Sequence, residues 1–186
     1  MKVLILACLL FSLPAHSEVF EGSSTYDSEF PLGDMEILGT KMQGTQKAFK
    51  DCLKAFHFVC AIKSSKVGIT KDVIEGDSTN EVKSEVIIQS IDSILTDQNY
   101  LKTSYFVFET HSSSYILSEL ERMGVTQIAL SKTLDKCFKA GEHFCTLDAF
   151  SPINFFQENE KKFNPKTNRI EYVNSVNILV QGYRLF

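Results

Sequence analysis

Cys52-Leu-Lys-Ala-Phe-His-Phe-Val-Cys60 and Cys137-Phe-Lys-Ala-Gly-Glu-His-Phe-Cys145 are two versions of one pattern, Cys-x-Lys-Ala-x4-Cys, set 85 positions apart. The likeness extends upstream at the same offset: Lys47 meets Lys132, Gly39 meets Gly124 and Glu36 meets Glu121. Self-similarity at a fixed spacing marks a duplicated structural unit.

Upstream of Cys52, the residues Met35, Leu38, Met42, Thr45, Phe49, Cys52 and Phe56 recur at steps of three and four, the period of an apolar helix stripe. Shifted by 85 they become Leu120, Met123, Gln127, Leu130, Leu134, Cys137 and Gly141. Ser118 with Glu121 predicts a capping-box start, and Gly33 with Glu36 a weaker one. Gly141 stands where a helix would end in a left-handed glycine. Gly39 and Gly124 fall inside the predicted helices, where glycine costs about 1 kcal/mol relative to alanine. Close approach of each helix to a sheet is the expected reason.

Strands are expected on both sides of each helix: Val19–Tyr26 and Phe58–Ile62 around the first, Tyr105–Thr110 and Phe144–Leu147 around the second. Turn-rich stretches follow, Glu75–Asn80 and Asn164–Asn168, leading into final strands Val82–Ile88 and Tyr172–Val180. The fold class is therefore α+β: two tandem β-α-β-β repeats, one long helix each packed on antiparallel sheet, one disulfide per repeat. One helix over three strands buries little surface, so the units are expected to share a sheet edge or to face each other. Tyr105–Phe108 and Val86–Ile88 are apolar on both faces, as covered central strands are; an exposed dimer surface is the sharper reading. The expected organisation is a leader over 1–17, repeat unit 1 over 18–91, a polar linker over 92–101 and repeat unit 2 over 102–186.

The leader rests on Lys2, the short apolar run Val3–Leu13, Pro14 and the small residues of Ala15-His16-Ser17, which together predict a secretory signal peptide cleaved before Glu18. A lipoprotein reading through Ile5-Leu6-Ala7-Cys8 fails, because almost no hydrophobic stretch precedes Cys8. No other segment is long and apolar enough to span a bilayer. Cleavage removes Cys8 and leaves Cys52, Cys60, Cys137 and Cys145, an even set in an oxidising compartment. Four cysteines allow three pairings. If each unit folds alike, each bridge lies within its unit, which selects Cys52–Cys60 and Cys137–Cys145. Redox-active pairs usually show Cys-x-x-Cys instead. Metal binding through His57 and His143 is the other alternative, but Glu142 rather than His143 occupies the position equivalent to His57.

A formal net charge of −4 gives no electrostatic reason to bind nucleic acid or anionic lipid. The sequence has no Gly-x-Ser-x-Gly, His-Glu-x-x-His, phosphate loop or calcium-loop spacing. His111 beside Ser112-Ser113-Ser114 is the one place where a base and nucleophiles are neighbours, and serines before a helix read as capping or loop residues. Glu158 and Glu160 with Lys161-Lys162 read as a mixed, solvated loop. No catalytic residue, cofactor or metal ligand is assigned.

Val19-Phe-Glu-Gly22, Gln46-Lys-Ala-Phe-Lys-Asp-Cys-Leu53 and Val82–Ile88 together resemble the N-terminal domain of flagellar assembly protein T and related small bacterial periplasmic modules. The cysteine pair is not part of that family's pattern. The resemblance implies a bacterial envelope protein with a structural or binding role and brings no catalytic residues with it. The expectation is an exported, non-enzymatic protein whose partner is another envelope protein or a second copy. The alternative is a small secreted hydrolase or inhibitor with a site formed only in three dimensions.

Overall fold

The elements run β1 (Val19–Ser28), α1 (Asp34–Lys54), β2 (Val59–Ile74), β3 (Asp77–Ser90), α2 (Asp92–Asp97), β4 (Tyr100–Ser113), α3 (Glu119–Lys139), β5 (Phe144–Asp148), β6 (Glu158–Asn164) and β7 (Arg169–Leu185). The structure, a computed structural model, describes residues 17–74, 77–148 and 158–186. The expected leader lies outside these residues apart from Ser17.

The two long helices form where the three-and-four periodicity predicts them, and their caps explain their ends. Ser118 Oγ accepts from the Glu121 amide at 3.2 Å, and Glu121 reaches back to the Ser118 amide at 2.8 Å. At α1 only the second half of that exchange is available, Gly33 N to Glu36 Oε2 at 2.9 Å. Gly141 ends α3 in the left-handed conformation, at φ 82°. The position 85 residues earlier is Phe56, which takes the same conformation at φ 63° despite its Cβ. Its side chain is therefore thrown off the helix stripe and stands 86% exposed, not buried with Met42 and Cys52 as the periodicity predicts.

Among the described residues, seven strands form one antiparallel sheet, in the order β1-β3-β2-β5-β7-β4, with β6 also paired to β7. β3 lies between β1 and β2. β7 lies between β4 on one side and β5 and β6 on the other. Among the described residues the halves share an edge through three pairs: Val59 with Asp148, Cys60 with Leu147 and Ala61 with Thr146. Four differences from the sequence reading follow. β2 runs past Ile62 to Ile74, and Asp77–Asn80, expected within a turn-rich stretch, opens β3 in register with it. Glu158–Lys162 is not a loop but part of β6, whose apolar signal is reduced to Phe163 because its neighbours are charged. The segment 92–101 contains α2 and the start of β4. And Tyr105–Phe108 does not lie in a covered central strand, because β4 is at the edge of the sheet.

α1 and α3 cover one face. Met42, Leu117, Val125, Leu130, Leu147, Val176, Ile178 and Val180 form the main core there, and Ala48, Cys52, Cys60, Val86 and Ile88 form a second cluster under α1. Each such aliphatic side chain stabilises the fold by about 1.5–3 kcal/mol when fully buried. On the opposite face, α2 seals the centre of the sheet, with Ile94 and Leu95 packed on Ala61, Ile91 and Tyr183.

The buried glycines do not have the role expected from sequence. A Cβ on Gly39 would lie 2.0 Å from the Leu120 carbonyl oxygen, and one on Gly124 would lie 2.2 Å from that of Met35. These are helix-to-helix contacts, and they are reciprocal: Met35 and Leu120 are themselves 85 positions apart. The close approach of helix to sheet occurs elsewhere, at Gly22 of β1, where a Cβ would lie 2.1 Å from the Gly44 oxygen.

Candidate functional site

Both cysteine pairs are closed. Cys52–Cys60 and Cys137–Cys145 have Cα–Cα distances of 6.6 and 6.1 Å, within the range of ordinary disulfides. Each ties the last turn of a helix to the strand that follows, and all four sulfurs are in buried residues.

Beside each bridge sits a polar node, at positions again 85 apart. In the first, His57 Nδ1 faces Asp92 Oδ2 at 3.2 Å and its Nε2 faces Glu18 Oε2 at 3.3 Å. Phe20 packs edge-on against the ring at 5.6 Å. Asp92 also accepts from the amides of Phe58 and Val59, at 3.2 and 3.0 Å. One carboxylate thus caps the helix-to-strand corner and anchors the start of α2. With a carboxylate on each ring nitrogen, His57 is arranged as a strut and not as a base facing a hydroxyl. In the second node Glu142 replaces the histidine, and Tyr105 replaces Phe20. Tyr105 donates to Glu142 Oε1 at 2.6 Å, and Arg184 Nη2 stands 3.5 Å from the same oxygen while it also holds the Ala140 carbonyl. Glu142 is 2% exposed, and its Oε2 and Arg184 Nε are buried without a hydrogen-bond partner. His143 is used separately, its Nδ1 accepting from the Leu185 amide at 3.1 Å.

The hydrogen bond to Glu142 raises the Tyr105 phenol above its usual value, with burial and the carboxylate's charge adding to the shift. The sign follows directly. A raised folded-state value means that the contribution is fully present below the ordinary tyrosine value of about 10 and is lost as pH rises through the folded value. Tyr105→Phe is expected to lower stability by about 1.5 kcal/mol at neutral pH, since it withdraws a donor from a buried carboxylate. Denaturant unfolding checks the loss. A phenolate absorbance titration checks its origin, because the phenol lost in the variant should be one that ionises above the usual tyrosine range. Loss of a phenol that ionises within the usual range would remove Tyr105 from the node.

His111 and the serines beside it are not brought together. His111 lies on the helix-facing side of β4, while Ser112 points to the opposite face by strand alternation. Ser113 Oγ accepts from the Tyr115 amide at 3.1 Å, the same local turn that Ser28 makes with Phe30 at 3.1 Å. Tyr115 donates to Glu121 at 2.6 Å, which raises the phenol. Burial pushes the Glu121 carboxyl up, but the hydrogen bonds from Tyr115 and Ser118 outweigh it and leave the group below its usual value. These are capping interactions.

Hollows lie on the surface of the described residues. One of about 410 Å³ lies over β1 and β3, against Glu21, Ser23, Lys83 and Glu85. Another, of about 240 Å³, is bounded by Ile116, Leu117, Lys161, Tyr172 and Asn174. No helix among the described residues is long and apolar enough to cross a membrane.

The most distinctive exposed surface is β4. Phe106 and Phe108 are 54% and 56% exposed on the face away from the helices, and Leu179 lies directly across from Phe106 on β7. The sequence predicts this apolar run within a covered strand. Only the strand order shows that it lies at the edge. Comparison of the chain with family models, with curated proteins and with solved structures found no match.

Proposed function

We propose that this chain is an exported, non-enzymatic structural or binding protein of the bacterial cell envelope, built from two tandem copies of a β-α-β-β unit. The observation that carries the reading is the pair of closed disulfides, each in a helix-to-strand corner, in a chain that opens with a short apolar run. Such bridges persist in oxidising compartments and are rare where thiols are kept reduced. The duplication is supported by the reciprocal contacts of Gly39 with Leu120 and Gly124 with Met35, and by equivalent residues Ala61 and Thr146 facing each other across the shared edge. The resemblance to the N-terminal domain of flagellar assembly protein T points to the same compartment. The binding role is drawn from the exposed aromatic edge, the kind of surface that soluble monomers usually blunt.

Expression with the native N-terminus in a Gram-negative host tests the compartment. The expected result is a product beginning at Glu18 in the periplasmic or extracellular fraction, with no thiol open to alkylation before reduction. A product that keeps Met1, carries lipid on Cys8, or holds reduced cysteines would overturn the assignment.

A further inference from the structure

β4 offers a complete strand edge. Tyr183 O accepts from His143 N on the β5 side of β7 at 2.9 Å, so the odd-numbered residues of β7 there direct their backbone groups away from β4 and the even-numbered ones toward it. Through the register of Val107 with Ile178 and Tyr105 with Val180, the odd-numbered residues of β4 are the ones bonded to β7. Ser104, Phe106, Phe108 and Thr110 therefore present their amides and carbonyls outward. The Phe106 carbonyl confirms this direction, since it receives Lys136 Nζ of α3 at 3.3 Å instead of a strand amide.

We propose that this edge takes up an extended peptide segment in which acidic and apolar residues alternate. This deepens the binding role proposed above and rests on it. An added strand would present one set of side chains to the open face, beside Phe106 and Phe108, and the other set to the helix side. There it would meet Lys136, exposed on α3, and would compete with Glu109 for Lys132, whose ammonium stands 2.6 Å from the Glu109 carboxylate, in a chain that is acidic overall. The incoming amide replaces the Lys136 ammonium on the Phe106 carbonyl, and the released ammonium pairs with the peptide's carboxylate. Backbone pairing supplies affinity and the alternate side chains supply selection.

The same chemistry argues against a second copy as occupant. Two β4 edges paired antiparallel, with their helices on one side, would bring each Lys136 toward its own counterpart, while each Lys132 stays paired with Glu109. β1, the edge at the far end of the sheet, carries Glu21 and Asp27 on the open face and Phe20 and Tyr26 on the helix side, the inverse of the required pattern when the helices of both copies lie on one side. That edge would then set carboxylates beside Phe106 and Phe108.

The test uses the mature protein and an acetylated, labelled peptide of about nine residues alternating glutamate with valine. The controls are the same peptide with glutamine for glutamate and a scrambled version. Fluorescence anisotropy is expected to show saturable binding that weakens with salt, and both controls should bind about tenfold or more weakly. Lys136→Glu should weaken the glutamate peptide about tenfold, since it replaces attraction by repulsion. Phe108→Pro removes an outward amide that makes no bond within the sheet, and it should abolish binding while circular dichroism stays unchanged. Equal binding to Lys136→Glu, or none to the parent protein, overturns the proposal. So does a dimer in sedimentation that Phe108→Pro dissolves, since a second copy would then own the edge. Failure of peptide capture with export and disulfides intact would discard the edge assignment alone and leave the envelope reading to its own test.

Discussion

Gly39→Ala and Gly124→Ala should each destabilise the protein by about 3 kcal/mol or more, although both replace a glycine inside a helix. Helix propensity alone would give the opposite sign, a gain of about 1 kcal/mol. The contact decides the matter. The new methyl at Gly39 would sit 2.0 Å from a backbone carbonyl oxygen, and no rotamer can move that oxygen. The helices must part, which loosens Met42 and Val125 in the core they share. Chemical denaturation measures each loss. The double variant should cost less than the two singles together, because the separation forced by one substitution already makes room for the other. Stabilisation of either single variant would show that α1 and α3 do not approach in this way.

The other large effect belongs to the bridges. Each closes a loop of sequence separation 8, for which loss of loop-closure entropy in the unfolded chain is worth about 2–3 kcal/mol. Both pairs are also buried, so replacing Cys52 with Cys60, or Cys137 with Cys145, by alanine leaves small voids that add to the cost. The double variant at Cys137 and Cys145 should lose more, because those sulfurs belong to the larger cluster, which includes Leu130, Leu147 and Ile178. Hydrogen exchange should show protection falling first in the half that lost its bridge. Non-reducing peptide mapping of the parent protein is the direct check, and a Cys52–Cys137 link would contradict the arrangement of both corners.

Much of this fold is legible in sequence because local chemistry specifies it. The Ser118–Glu121 box, Gly141 and the turn at Asn164–Asn168 each act within a few residues and each marks an element end, while the apolar stripes place both long helices although the first runs on to the exposed Phe56. Strand order is not local. Nothing in Tyr105–Phe108 distinguishes an edge from a centre, since Val107 and Tyr105 do face the core and Phe106 and Phe108 look like their partners. β6 is not legible in sequence because Glu158, Glu160, Lys161 and Lys162 mask its alternation, and its pairing with β7 is what fixes it. Gly39 and Gly124 signalled a close approach, but the partner surface could not be read until the helices were placed. One more signal is present in the sequence: Phe20 and Tyr105 lie 85 positions apart, as do His57 and Glu142, and each aromatic stands beside its polar counterpart at a helix-to-strand corner.

Neither bridge crosses the three-pair joint between β2 and β5, and this has a consequence for heredity. Covalently the polypeptide is two closed loops on one string, held in tandem only by the stretch from Asp92 to Asn99. A gene cut within that stretch would encode two products, each with its own sulfur clasp and its own half of the glycine contact. On the duplication reading, either product alone would also find the missing half in a sibling molecule. The association would then predate the fusion, and joining the genes would have changed its concentration dependence without changing its contacts.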